Sequence, residues 1–238
     1  MNFRITCLVL IFLSNNIFSQ STFYNIDTVR EIKFNFDQPN WKYLLDSLYI
    51  LGDEQRIIGT VTIDGYQYDS VGIRYKGYSS VNITQTKNPF NIKLDYVLDQ
   101  SHFGVDKIKL GNVIQDPSFA REIVSYKVAR NYMPASLANY CNVYINNNFW
   151  GVYTSIESVD KSFLAQHYGS STGSFIKGNP TKVDLNGENS NLSNSLGKDS
   201  TDYYEFYELK SDIGWAPFYN LIDKLNNDPA AIEEVLNV

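Results

Sequence analysis

Residues 71–80 read VGIRYKGYSS, and how those ten residues are read decides the fold. The first six alternate as a strand does, which puts Val71, Ile73 and Tyr75 on one face and Gly72, Arg74 and Lys76 on the other. The stretch then ends in a glycine and two serines. Gly77 lets the backbone approach a ligand closely, and Ser79 and Ser80 offer hydroxyl and N–H donors. Further on, PFNIKLDY (residues 89–96) alternates in the same way, with Phe90, Ile92, Leu94 and Tyr96 toward a core and Asn91, Lys93 and Asp95 away from it. If the two strands share a sheet, Arg74, Lys76 and Lys93 lie on one surface, and Lys87 in the turn between them adds a fourth cation. That composition suits an anion site, with phosphate as the natural ligand. A solvated strand face, or an edge strand guarded by lysine, has the same spacing, and spacing alone does not separate the readings.

Working outward, REIKFNF (30–36) predicts a half-buried strand and residues 39–49 a short helix carrying Trp41, Leu44, Leu45 and Leu48. IIGTVTI (57–63) and YQYDSVGIRYKG (66–77) form a hairpin through Asp64-Gly65. DKIKLGN (106–112) adds a strand. Asp116-Pro117 reads as an N-cap followed by proline at the first helical position, which predicts a helix over 116–133. NYCNVYINNNFWGVYTSIE (139–157) is a second hairpin, turning at 146–148. Ser158 is expected to cap a helix that Gly169 ends, and SFIKG (174–178) is a short strand. Residues 178–202 are rich in Asn, Ser and Gly, which predicts a mobile polar loop. Two helical patterns follow, the second opening at Asp228-Pro229 and reaching Val238 without a stop signal. Strands, then helix, hairpin and helix make an α+β order rather than a doubly wound sheet.

Residues 1–20, MNFRITCLVLIFLSNNIFSQ, have a cationic start at Arg4, an apolar run from Ile5 to Leu13, and small residues near Ser19. That is the pattern of a secretory signal peptide over 1–19, which implies export of one domain from residue 20 and no transmembrane anchor in the mature chain. Beyond it the sole cysteine is Cys141, in a strand-like run, read as a buried inert thiol. The net charge of −6 excludes a general nucleic-acid binder. His102 and His167 have no second ligand at metal spacing and are read as surface or loop histidines.

The helix after the strands carries Glu122 in its first turns. A strand lysine followed by a helix glutamate is the order that kinases use on the α- and β-phosphates of ATP, although a glutamate there also simply favours the positive end of the helix. Taken with VGIRYKGYSS, K-x-PFNIKLDY, Asp-Pro-Ser-x-x-Arg-Glu and GVYTSIESVDKSFL, in that order between Ile32 and Lys177, the chain resembles the spore coat protein H (CotH) kinase family. The resemblance implies an atypical protein-kinase-like fold, mainly antiparallel sheet with packed helices, truncated at its C-terminal part. It implies an exported enzyme that phosphorylates secreted or surface proteins on Ser/Thr with ATP and Mg²⁺ or another divalent metal. Some relatives are adhesive, so the alternative is a non-catalytic surface binding module on the same fold.

By the same resemblance, Arg74, Lys76, Ser79 and Ser80 match the family's R-x-K-G-x-S-S segment, Lys87 and Lys93 its following lysines, and Glu122 its helix glutamate. Glu157 matches the glutamate after the hairpin, where a kinase-like fold connects its lobes near the adenine. Which lysine pairs the phosphates stays open, since Lys93 has the strand context and Lys76 the stronger motif. The family's metal-binding Pro-Trp-Asp does not occur in the 238 residues. Its absence implies either a fragment of a longer protein, with the catalytic aspartates expected beyond Val238, or a truncated relative that retains binding surfaces; the chain as given then carries mainly the nucleotide-binding half.

Overall fold

The computed structural model describes residues 23–52, 54–77, 79–179 and 190–236. The signal-peptide reading of residues 1–19, Tyr78 and residues 180–189 of the polar loop lie outside the described residues. Two compact units divide the chain after Val159.

The first unit is built on strands β1 (Arg30–Asn35), β2 (Ile57–Ile63), β3 (Tyr66–Tyr75), β4 (Phe90–Lys93), β5 (Lys107–Gly111), β6 (Ala138–Ile145) and β7 (Asn148–Ile156). They close into a barrel in the order β1-β2-β3-β4-β5-β7-β6. The expectation of an α+β, mainly antiparallel sheet holds at that level. The kinase-like sheet is corrected to a closed seven-stranded barrel, because β1 pairs in parallel with β6 as well as antiparallel with β2. The β6–β7 hairpin makes this possible. β7 takes the place beside β5, from Lys109↔Ile156 to Gly111↔Thr154, which leaves β6 free to meet β1.

Two turns set the registers. Asp64 and Gly65 both have positive φ (47° and 89°), and so do Asn146 and Asn147 (47° and 66°), the backbone that a two-residue hairpin demands. Each turn also stitches a third strand. Asp64 accepts from Glu31 N at 2.8 Å and from Arg30 Nη1 at 3.0 Å, and Asn146 Oδ1 accepts from Phe36 N at 2.9 Å.

With the barrel closed, alternate residues point inward. Ile32, Phe34, Val61, Ile63, Val71, Ile73, Phe90, Ile92, Ile108, Leu110, Cys141, Val143 and Tyr153 are buried there. Each such side chain contributes roughly 1.5–3 kcal/mol when fully buried. Phe90 is a hub, with Phe34, Tyr75 and Tyr153 ring centroids 5.2, 5.5 and 5.9 Å away. Helix α1 (Trp41–Leu51) packs Trp41, Leu44, Leu45 and Leu48 against this core, with Trp41 stacked on Phe36 at 5.2 Å. Cys141 is fully buried, and burial pushes its thiol well above the usual range.

Three local expectations are corrected. PFNIKLDY is a strand only as far as Lys93. Leu94–Tyr96 form a 3-10 turn that lays Tyr96 over Gly72 on the outer face, where a Cβ at Gly72 would collide with the ring. The helix expected from Asp116 is α2 (Arg121–Ala129). Asp116 instead folds the approach into a turn, accepting from Ser118 N and Oγ and from Arg121 N, and Phe119 at φ 58° cannot be helical. His102 is buried, not superficial, at 1 % exposure. Its ring lies 4.5–5.8 Å from the rings of Phe103, Phe23, Tyr66 and Tyr68. The Tyr68 hydroxyl is 2.9 Å from Nδ1, and Nε2 has no hydrogen-bond partner among the described residues.

The second unit holds α3 (Lys161–Tyr168), a two-stranded antiparallel sheet of β8 (Ile176–Gly178) and β9 (Tyr207–Leu209), α4 (Trp215–Asn227) and α5 (Ile232–Leu236). Asp160, rather than Ser158, caps α3 by accepting from Ser162 N and Phe163 N, and Gly169 closes it at φ 71°. Within the expected polar loop, Asn194–Leu196 and Ser200–Tyr203 form 3-10 turns, the latter with an Asp199/Asp202 capping box. Leu192 and Leu196 pack with Tyr203, Tyr207, Phe218 and Ile222 into a separate small core. No helix among the described residues is long and apolar enough to cross a membrane.

Two predictions follow from the packing. Truncating Phe90 to alanine removes the ring that three others share, so urea denaturation of F90A should show a loss of about 3–5 kcal/mol; an unchanged midpoint would contradict the shared-ring account. Burial depresses the His102 pKa first, with Asp64 raising and Arg30 lowering it further. The folded value therefore lies below the unfolded value of about 6.5. The neutral ring's contribution is whole above that pH and is lost as pH falls through the folded value. The melting temperature of the wild type should drop more steeply between pH 7 and pH 5 than that of H102N, and equal slopes would refute it.

Candidate functional site

The outer face of the barrel carries the polar rows. Lys76 N donates to Pro89 O at 3.1 Å and so extends the β3–β4 ladder by one step. Continuing the β4–β5 register sets Pro89 opposite Gly111, and Gly111 pairs directly with Thr154. Lys76, Pro89, Gly111 and Thr154 therefore form one cross-strand row, with side chains on one face.

Helix α2 drops Glu122 onto this row. Its Oε2 accepts from Thr154 Oγ1 at 2.5 Å. A methyl group at Gly111 would sit 2.5 Å from Thr154 Oγ1 and 2.7 Å from Glu122 Oε2, so only glycine leaves room for the carboxylate. Lys76 and Glu122 thus lie on one face of the sheet, along one strand row. Burial lowers the Lys76 pKa, and the Glu122 charge works against that lowering. The α2 register that allows this is held by Ile123, which is buried with Ala138 and Ile156.

The other candidate residues are placed differently. Gly77 follows Lys76 at φ 101°, and a Cβ there would strike Ser80 Oγ, so the tight loop needs glycine. Ser80 is half-buried, its carbonyl accepting from Gln85 Nε2 and Asn112 Nδ2, whereas Ser79 is exposed. Lys87 crosses to β7, where Nζ donates to Val152 O at 2.6 Å and lies 4.6 Å from the Tyr153 ring and 5.3 Å from that of Phe119. Burial lowers its pKa as well.

Arg74 and Lys93 share the outer face with Lys76 but belong to other rows. Lys93 stands opposite Gly72, four residues back along β3, or about 13 Å at strand rise. It lies 3.9 Å from Asp95, and Arg74 pairs with Glu54 at 3.1 Å. Glu157 is buried just past β7, its Oε2 accepting from Leu137 N at 2.9 Å. It lies three residues beyond Thr154, so strand alternation sets it on the other face from Glu122.

The structure thus sets Lys76 and Glu122 along one row and holds Arg74, Lys93 and Glu157 elsewhere. Sequence reading missed Gly111, Thr154 and Arg56. Arg56 spans β3 and β4, donating to Gly72 O, Asn91 O and Asn91 Oδ1, and burial first and Arg74 second lower its pKa to about 10. Gly111 and Thr154 sit in strands that are not neighbours in sequence, and no local signal predicts their pairing. Among the described residues, no three His, Cys, Asp or Glu side chains group as a metal site.

No curated protein matches the chain. The family described as CotH kinase protein matches residues 73–238, from the middle of β3 onward and through both units. With well over half its length matched, the chain belongs to the CotH kinase protein family and is kinase-like at the level of that family.

Proposed function

We propose that this chain carries the nucleotide-binding machinery of an exported CotH-type protein kinase, which takes ATP and transfers its terminal phosphoryl group to Ser/Thr hydroxyls of secreted or surface proteins. The observation that carries the proposal is the placing of Lys76 and Glu122 along one strand row, beside Gly111 and within the matched region. In kinases such a pair serves the α- and β-phosphates, the glutamate holding the ammonium where phosphate oxygens arrive. A half-buried ammonium is well suited to this.

Gly77 and the donors of residues 79–80 lie directly beyond Lys76, where a backbone that approaches closely can meet further phosphate oxygens. The described residues do not provide a cage for a divalent ion. Mg²⁺ enters this proposal only as the counter-ion that nucleotide phosphates bring with them. The apolar run from Ile5 to Leu13 supports export as part of the same proposal.

Calorimetric titration of the full chain with a non-hydrolysable ATP analogue and Mg²⁺ tests it. Removing the charge-assisted contact in K76M should weaken binding about 10- to 100-fold. K93M, whose lysine lies in another row, should change it less than about twofold. Equal losses in the two variants, or no binding by the wild type, would overturn the assignment.

A further inference from the structure

The geometry points to Thr154 and Gly111 as positioning residues that fix the Glu122 carboxylate on the strand row that Lys76 shares. The inference rests on the proposed role of the Lys76–Glu122 pair and adds what holds that pair together.

A glutamate side chain has three rotatable bonds, and one in a first helical turn has solvent as an easy alternative to its partner. Something must hold it over β5. Helix α2 does not do so by itself, because its N-cap, Ala120, makes no side-chain capping bond, and Asp116 is used on Arg121 N and Ser118. The group that reaches Glu122 is Thr154 Oγ1, at 2.5 Å. Thr154 is fully buried on β7 and, being β-branched, has a restricted χ1. Its hydroxyl has one proton, and the alternative acceptor, Gly111 O, is a full 3.5 Å away. The proton is therefore directed at the carboxylate.

Gly111 is the second half of the device. In the row Lys76–Pro89–Gly111–Thr154 it is the position without a side chain, and the carboxylate occupies the space that a Cβ would fill. Sheet, hydroxyl and gap together select one rotamer of Glu122. The carboxylate is then already fixed on the Lys76 row, so the ordering cost does not fall on nucleotide binding.

The Lys76 side chain supplies a readout that needs no ligand. Burial lowers its pKa and Glu122 opposes that, so a carboxylate that swings away should let Lys76 lose its proton at lower pH. Full-length protein is labelled with ¹³C at lysine Cε, the Lys76 resonance is assigned by its loss in K76M, and its titration is followed in the wild type, T154V, T154S and G111A. The Thr→Val change keeps shape and removes the hydroxyl, and an unchanged melting temperature in T154S guards against a general packing effect.

The expected result is a Lys76 titration displaced to lower pH in T154V and G111A, in the same direction as in E122Q, and restored in T154S. Affinity for the ATP analogue should fall about tenfold in T154V and recover in T154S. If T154V leaves the Lys76 titration where the wild type has it, the positioning role is overturned whatever the nucleotide does. If the titration moves as expected but neither the wild type nor T154S binds nucleotide, positioning stands and the nucleotide reading of the pair falls.

Discussion

The parallel ladder between Arg30–Phe34 and Cys141–Ile145 is the constraint on which the rest of the first unit depends. Without it, seven strands would make an open sheet with two exposed edges, and each face would have to be covered separately. With it, inside and outside are fixed for every strand at once. A register slip of one residue in β3 or β4 would put Lys76, Arg74 or Lys93 among Phe34, Phe90 and Tyr153. The ladder is thus the reason that the outer face is reliably polar, and the reason that residues from four separate strands and a helix keep a common row.

Closure also explains why charge on the outer face is not equivalent along its length. Arg74 and Lys93 lie near acids of their own, Glu54 and Asp95, at partly exposed positions where such pairs contribute little and salt screens them. Lys76 differs in that burial lowers its pKa while the charge of Glu122, carried by helix α2, opposes the lowering. Lys87 is enclosed too, but its ammonium is satisfied by a carbonyl and two aromatic faces rather than by a carboxylate. Clustered cations on a strand face are therefore several physically distinct cases, and the partner separates them.

That distinction marks how far the sequence could be read. Alternation in VGIRYK and the hairpins at Asp64-Gly65 and Asn146-Asn147 were legible, because period-two burial and positive φ are properties of a few adjacent residues. The inward set Val71, Ile73 and Tyr75 and the outward Arg74 and Lys76 follow from the same rule. The β5–β7 pairing and the β1–β6 seam were not legible, since each joins segments that carry no mark of the other. Nor was the tight turn at 116–120, where Asp116-Pro117 has the composition of a helix start but Asp116 turns its carboxylate onto Ser118. His102 was misread because a lone residue in a loop has no periodicity to reveal burial. That Lys76 and Lys93 stand in different rows, one of them with Gly111 and Thr154, rests on a pairing that only the folded barrel displays.

The family match begins at Ile73, inside β3. Every member of the row falls after that point: Lys76, Pro89, Gly111, Glu122 and Thr154. β1, β2 and α1, which close the barrel and pack its core, fall before it. A row of polar groups meeting one carboxylate tolerates few changes, because each group is fixed by distance and by the space a single Cβ would take. A strand whose task is to supply alternate apolar residues and a ladder edge can do so with many sequences, provided volume and period are kept. β1 is therefore indispensable to the site, since it closes the barrel that aligns the row, yet its own residues need not spell out what the site does.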